Sequence, residues 1–425
     1  MYIMSIENIE QNAYSSSFSL TESYLRRAKF VFKYKFKLIK FFHKYNKSYW
    51  KKHKSIMYEE FKQIINIPYE KTIKKTYKEM WLEEEKKNSG AKRGVLEINN
   101  TCNIDCIMCR TSLATKKKGR ISEETLQVAL KRLKDDGVNY VSMHTIGDPL
   151  ANPKLEIIFK ELRKYKIKCG VSTNGLLLYK HIKILQKYVD VCPSIKFSID
   201  GATKKTYEKI RNKGKWDDLI KNLDLSNKYL KKYNIPIRIN MTVSKDNCDE
   251  IGEFICLYKK YVNEPSKDMT FHLVNSLSPD NSYFHSMNLF PNYTRKKYMC
   301  EAVLANNPLL TWDGRVSICG RDYSGELEIG DYKKTSLKNI REKSKYLKYV
   351  QKSHEKKNLK KLPFCNTCYH VDPRLNTFFN MFIQYIIYKN KDMHAAFYQN
   401  KVNDLIYLFQ KKIPNEEKLK KIIEN

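Results

Sequence analysis

Three features are missing from this 425-residue chain, and each absence removes a class of function. No run of eighteen apolar residues occurs; the longest candidate, Phe378 to Ile387, is too short to cross a bilayer. No secretory signal opens the chain, because Met1–Gln11 carries two glutamates and no long apolar stretch. A reduced, cytoplasmic location follows, in which thiols stay free. There is also no aromatic-and-glycine RNA motif, no zinc-finger spacing and no internal repeat at a fixed period. That last absence governs how the net charge of +34 is read. Lys, Asn, Ile and Tyr are all abundant, so the charge reflects a drift in composition, and most lysines read as a solvated surface. No nucleic-acid partner is expected.

Acidic residues are wholly absent from Arg26 to Lys54, where twelve basic residues fall. Apolar residues recur there at Val31, Tyr34, Leu38, Phe41 and Tyr45, a helical spacing. Two readings stand: a basic amphipathic helix in peripheral contact with an anionic membrane, or a cap on the rest of the protein with its lysines in water. The cap is preferred, since the whole chain is lysine-rich.

What is present is cysteine. Eleven thiols in a chain of this length do not form the framework of a small secreted domain. Three of them, Cys102, Cys106 and Cys109, follow a strand-like run, Gly94–Ile98, in the order Cys-x3-Cys-x2-Cys. One loop with that spacing can wrap an iron–sulfide cube. Three thiolates ligate only three of the four irons of a [4Fe–4S] cluster, and the open fourth position is where chemistry happens. A zinc knot is the competing reading. A second set, Cys300, Cys319, Cys365 and Cys368, supplies four thiolates, enough to close a cluster completely. Cys169, Cys192, Cys248 and Cys256 fall in strand or helix patterns and read as core thiols.

The region between about 93 and 275 alternates strand-like and helix-like segments. The strand candidates are Val95–Ile98, Tyr140–His144, Cys169–Thr173, Ile195–Ile199, Ile237–Met241 and Thr270–Leu273. Between them lie Ser122–Asp135, Leu155–Lys164, Lys180–Tyr188, Trp216–Tyr233 and Glu250–Tyr261, with helical texture. Strands alternating with helices of this length are parallel β-α units. Six of them make an α/β fold, a partial (β/α)6 TIM-like barrel whose site lies at the carboxyl ends of the strands. Beyond it, Leu309–Thr311 and Val316–Ile318 flank a turn at Trp312-Asp313-Gly314-Arg315. The tail from 373 reads as two helices with an aromatic face.

The cysteine loop with Met108 before its last thiol, Gly147-Asp148-Pro149 after the second strand, Ser172-Thr173-Asn174-Gly175 after the third and Ser198-Ile199-Asp200-Gly201 with Arg211 after the fourth together resemble the radical S-adenosylmethionine (SAM) superfamily. The second cysteine set, with Gly314 five positions before Cys319, resembles its SPASM or twitch extension. The four-cysteine arrangement is similar to radical SAM dehydrogenases that oxidise aminocyclitols and to their relatives, the sulfatase-maturing enzymes. The resemblance implies a SAM-binding [4Fe–4S] cluster on Cys102, Cys106 and Cys109, SAM itself, and one auxiliary [4Fe–4S] cluster on Cys300, Cys319, Cys365 and Cys368. It implies SAM contacts at Met108, Gly147, Asp148, Ser172, Asn174, Ser198, Asp200 and Arg211. Met108 would cover the adenine, Ser172 and Asn174 would meet the ribose, and Arg211 would neutralise the carboxylate. Asp148 stands where the family carries glutamate, and Ile146 where glycine is common.

The implied activity is cleavage of SAM to a 5′-deoxyadenosyl radical that takes hydrogen from a substrate. The substrate would be a sugar or cyclitol hydroxyl, with the auxiliary cluster as electron acceptor and an external one-electron donor such as flavodoxin or ferredoxin. Peptide or protein maturation is the alternative. No proton acceptor is identified; His144, at the end of the second strand, faces the barrel mouth. The expected organisation is a basic helical extension (1–92), a radical SAM core barrel (93–290), a SPASM/twitch auxiliary-cluster domain (291–372) and a helical tail (373–425).

Overall fold

The computed structural model describes residues 47–66, 92–109, 111–233, 235–275, 281–296, 300–304, 308–410 and 414–424. The chain divides into two compact units, Met1–Ile56 and Met57–Asn425. The basic arm lies outside the described residues apart from 47–54, which open a helix, α1, spanning 47–66.

The second unit is built on one open sheet. Its first six strands are β1 (Lys92–Leu96), β2 (Val138–Ser142), β3 (Lys168–Thr173), β4 (Ile195–Ser198), β5 (Ile237–Val243) and β6 (Met269–Leu273), all parallel and in chain order. The helices between them are α2 (Glu123–Asp135), α3 (Leu155–Lys164), α4 (Ile182–Lys187), α5 (Lys204–Ile210), α6 (Trp216–Tyr229) and α7 (Ile251–Tyr258). Local chemistry accounts for their bounds. Ser122 caps α2 by accepting from Thr125 N at 3.1 Å, with Glu123 and Glu124 in the first turn and Arg132 and Lys134 in the last. In α3, Leu155, Ile158, Phe159 and Leu162 form the buried stripe that lies against the sheet.

Strand alternation separates an apolar outer face from a polar inner one. Ile195 and Phe197 are fully buried, and Phe197 lies beside Gly175 together with Leu219 of α6. Lys196 and Ser198 alternate with them and face the concave interior. The expected β-α units therefore stand, and the six strands curve as a partial barrel that is not closed. The boundaries move: β1 ends at Leu96 because the chain beyond pairs elsewhere, with Ile121 N donating to Ile98 O at 2.9 Å. The helices expected at 180–188, 216–233 and 250–261 are shorter, with 3₁₀ turns taking up their ends at Leu178–Lys180, Lys231–Tyr233, Cys248–Glu250 and Lys259–Tyr261.

The carboxyl-terminal third does not stand apart from this sheet. β7 (Thr294–Lys296) pairs with β11 (Tyr369–Val371), but β8 (Leu309–Leu310) joins β1 in parallel, and β9 (Arg315–Ser317) and β10 (Glu328–Asp331) continue it antiparallel. The result is nine strands in the order β10-β9-β8-β1-β2-β3-β4-β5-β6. The turn between β8 and β9 uses Gly314 at φ +107, a conformation open to glycine. Helix α8 (Leu337–Lys343) packs on β10, while α9 (Lys345–Glu355) and α10 (Pro363–Asn366) bring Leu347, Val350 and Cys365 into one buried cluster.

The tail forms three helices where two were expected: α11 (Pro373–Lys389), α12 (Ala395–Gln410) and α13 (Glu416–Glu424). α11 seals the far edge of the sheet. Its Asn380 and Asn376 side chains accept from Phe271 N and Leu273 N of β6, each at 2.8 Å, and Gln384 donates to Met269 O at 3.0 Å. An edge strand that would otherwise be open to pairing is thereby satisfied. Phe61 of α1 packs on Phe378 and Phe409, at 5.3 and 5.8 Å between ring centres.

Candidate active site

The Cys102–Cys109 loop leaves β1 at the carboxyl mouth of the barrel. Two backbone bonds lash it to the end of α5, from Asp105 N to Asn212 O (2.9 Å) and from Ile107 N to Ile210 O (3.0 Å). A third, from Cys109 N to Cys106 O at 3.0 Å, closes the turn between the last two thiols. Met108 lies buried in this turn at 5% exposure. The loop also presses on the segment after β2. A side chain at Gly147 would put its Cβ 2.8 Å from Asn99 O and 2.9 Å from Thr101 O, so only glycine fits.

Two side chains donate to the thiol sulfurs. Arg211 Nη1 reaches Cys106 Sγ at 3.4 Å, and Asn174 Nδ2 reaches Cys102 Sγ at 3.7 Å and Asn103 Oδ1 at 2.9 Å. Donors to sulfur of this kind tune iron–sulfur centres. Burial pushes Cys102 and Cys109 up to about 12; the charge of Asp148 and then Cys106 add to the first, and Cys106 and Cys102 to the second. Cys106 is raised by burial against the opposing pull of Arg211. Without a cluster these groups are therefore held as neutral thiols, and binding iron would require each to give up its proton. Among the described residues, no three or more His, Cys, Asp or Glu side chains converge tightly enough to chelate a single ion.

The remaining expected SAM contacts gather at the same mouth, and several are engaged within the protein. Asp148 is 4% exposed; its carboxylate accepts from Leu150 N (2.9 Å), Thr173 Oγ1 (2.8 and 2.9 Å) and Asn174 N (2.7 Å), tying the end of β2 to the end of β3. Burial raises its carboxyl, while those donors pull it down. Asp200, fully buried, pairs with Arg211 at 2.6 Å and accepts from Thr242 N at 2.7 Å. Arg211 is thus shared between Asp200 and the Cys106 sulfur. Ser172 and Ser198 are half-buried on the inner face. Sequence reasoning passed over Asn99 and Asn100, buried at 2% and 0%. Asn99 donates to Thr101 O and Asp148 O, and Asn100 clasps Gly119 N and Lys117 O, so the pair anchors both arms of the cysteine loop. Two polar residues directly after an apolar strand, Asn-Asn-Thr-Cys, were the available signal.

Three of the four cysteines of the second set sit in one apolar cluster. Cys300 and Cys365 are buried among Val303, Ile318, Leu327, Leu347 and Val350, with Cys319 packed against them. Cys365 is pushed up to about 12 by burial and then by Cys300, Cys319 and Cys368, which locates all four thiols together. Cys319 is likewise raised to about 12. Arg321 donates from its backbone to Cys319 Sγ (3.4 Å) and from Nη1 to Cys368 Sγ (3.8 Å). Asp322 pins the intervening loop by accepting from Gly325 N and Leu327 N. All eleven cysteines are free; Cys169, Cys192 and Cys248 are buried, and Cys256 is half-buried.

A loop of three cysteines leaves the barrel mouth, and four further cysteines gather in the region that adds β8 to β1. Residues 96–255 match the radical SAM superfamily, and residues 300–369 match SPASM, an iron–sulfur cluster-binding domain. The chain therefore carries a radical SAM domain and a SPASM domain, which imply a SAM-binding [4Fe–4S] cluster, SAM and auxiliary iron–sulfur clusters. The mycofactocin maturase MftC of Mycolicibacterium smegmatis is 24% identical over 169 residues, 39% of this chain and 41% of that protein. The match spans only 37–46% of the length of the first curated relatives. Among solved structures, native anSMEcpe with bound AdoMet superposes with a TM-score of 0.49 at 16% identity, covering 74% of this chain and all of that one. BtrN in complex with AdoMet and 2-DOIA gives 0.42 at 14% identity, covering 66% and 93%. Among the described residues no helix is long and apolar enough to cross a membrane.

Proposed function

We propose that this enzyme oxidises a hydroxyl of a small polar substrate, a sugar or cyclitol-like compound, and passes the second electron to a single auxiliary cluster. The observation that carries the reading is the second set, in which Cys365 feels Cys300, Cys319 and Cys368 at once and three of the four line one apolar cluster. With its cluster and SAM bound, the three-thiolate loop supplies a carbon-centred oxidant that removes a hydrogen atom. The alcohol carbon gives up that atom and the hydroxyl gives up a proton. The remaining electron needs a one-electron acceptor within reach, and four thiolates are suited to hold one without an open iron.

Around that centre the chain positions and insulates. Cys102, Cys106 and Cys109 would hold the reactive cluster, with Asn174 and Arg211 donating to their sulfurs. Met108, Gly147, Ser172 and Ser198 are the proposed SAM contacts. Asp148, Asp200 and Arg211 act there by fixing the mouth, since their hydrogen bonds run to one another's strands. An external one-electron donor and a cytoplasmic setting belong to the same reading. Peptide modification is the second reading, favoured by the maturase named among the relatives.

The test is anaerobic reconstitution with iron and sulfide, then SAM and dithionite with deuterated sugars and cyclitols in one arm and deuterated peptides in the other. Deuterium appearing in 5′-deoxyadenosine from the sugar arm supports the proposal; deuterium from the peptide arm alone overturns it. The Cys365→Ala/Cys368→Ala variant should lose about four irons per chain, keep SAM cleavage and stop short of oxidised product.

A further inference from the structure

The inner face of the sheet is basic where the proposed reaction would hold its substrate. Register places Ser172, Lys196 and Arg238 in one row across β3–β5, Ser198, Asn240 and Thr270 in the next, and Thr242 with His272 in a third. His144 follows directly after β2. Lys196 is half-buried, and among the described residues no hydrogen bond or ion pair engages its ammonium. The nearest charge acting on it is that of Arg238, of the same sign. His144 Nδ1 is buried without a partner. Ser142 pairs with Gly170, so His144, two residues on, lies level with Ser172 and Lys196, and the charge of Lys196, after burial, lowers both His144 and His272.

Asp268 is close enough to Arg238 to be lowered by it, and the carboxylates toward the mouth are engaged elsewhere. Asp200 is taken by Arg211 at 2.6 Å, Asp148 by its three donors, and Glu97 by the Thr145 hydroxyl. A buried cation without a counter-ion is costly, and cations with neutral imidazoles beside them are donors awaiting an acceptor. Lys196 also precedes Ser198 and Asp200 along β4, so it lies deeper than the mouth where the cysteine loop sits.

We propose that Lys196, flanked by His144 and His272, binds an anionic group of the substrate, a carboxylate or a phosphate ester, and so selects an acidic sugar or cyclitol over a neutral one. This rests on the reading of the barrel interior as the substrate chamber. Reconstituted protein with SAM bound is titrated calorimetrically with inorganic phosphate and, separately, with acetate. A saturable site for at least one of them is expected, weakened by about tenfold or more in Lys196→Met. Lys196→Arg should retain it, and so should Lys131→Met, which removes an exposed lysine of α2. Tighter phosphate binding assigns the ester, and tighter acetate binding the carboxylate. No saturable binding, or equal binding in wild type and Lys196→Met, overturns the proposal. So does a Lys196→Met variant that loses SAM affinity, which would assign this lysine to the cofactor. Substrate-free formation of 5′-deoxyadenosine is measured alongside. Its absence from wild type would refute the reaction proposed above, whereas its presence without anion binding would refute only the subsite.

Discussion

Arg211 illustrates how one side chain serves several ends. Sequence resemblance assigns it to the SAM carboxylate, and the structure pairs it with Asp200 while it donates to the Cys106 sulfur. Burial raises the Asp200 carboxyl, and the charge of Arg211 opposes that rise. His144 is the titration to follow at this scale. Its folded value, about 4, lies below the ordinary 6.5 because burial and Lys196 disfavour the imidazolium. The unfolded chain therefore binds more protons between those values. The contribution of His144 is complete above pH 6.5 and is lost as pH falls toward 4. Anaerobic urea unfolding should show stability falling by about 2 kcal/mol from about pH 7 to about pH 5 through this group. His144→Gln, which cannot titrate, should flatten that slope.

Among the elements, the sheet edge is the informative case. β6 ends the parallel series, and α11 covers it with amide side chains in place of another strand. Asn376→Ala and Asn380→Ala each leave a buried N–H of β6 without its acceptor, at a cost of about 1–3 kcal/mol. Hydrogen exchange of the Leu273 and Phe271 amides, respectively, should accelerate in these variants while that of β3 is unchanged. The same helix was legible in the sequence only as an apolar tail. Its apolar residues gave the helix, but nothing in a linear pattern says that two asparagines will meet an edge strand a hundred residues earlier.

At the scale of the whole molecule, the two cysteine sets share one sheet. β8 adds to β1, the strand that delivers the reactive loop, so the region matching SPASM is continuous with the barrel through backbone hydrogen bonds. Val95 N and Glu97 N donate to Pro308 O and Leu310 O, both at 2.8 Å. Ending the chain after residue 299 would strip the partner from β1 and open a flat edge. That truncation should aggregate in size-exclusion chromatography. Full-length protein with Cys300, Cys319, Cys365 and Cys368 all changed to serine should keep β1 covered and stay monodisperse to a greater degree.

The sequence by itself determined the chemistry-bearing parts. The spacing of Cys102, Cys106 and Cys109, the glycine at 147 and the alternation of strands and helices are short-range patterns, and they locate a cluster loop at a strand end. Tertiary structure decided what those residues touch. It turned Asp148 inward to bind Thr173 and Asn174, paired Arg211 with Asp200, merged the second cage into the barrel sheet and lined the interior with Lys196, His144 and His272. Those outcomes depend on contacts between segments distant in the chain, set by sheet register and by the cost of burying unpartnered charge, and neither is written in local spacing.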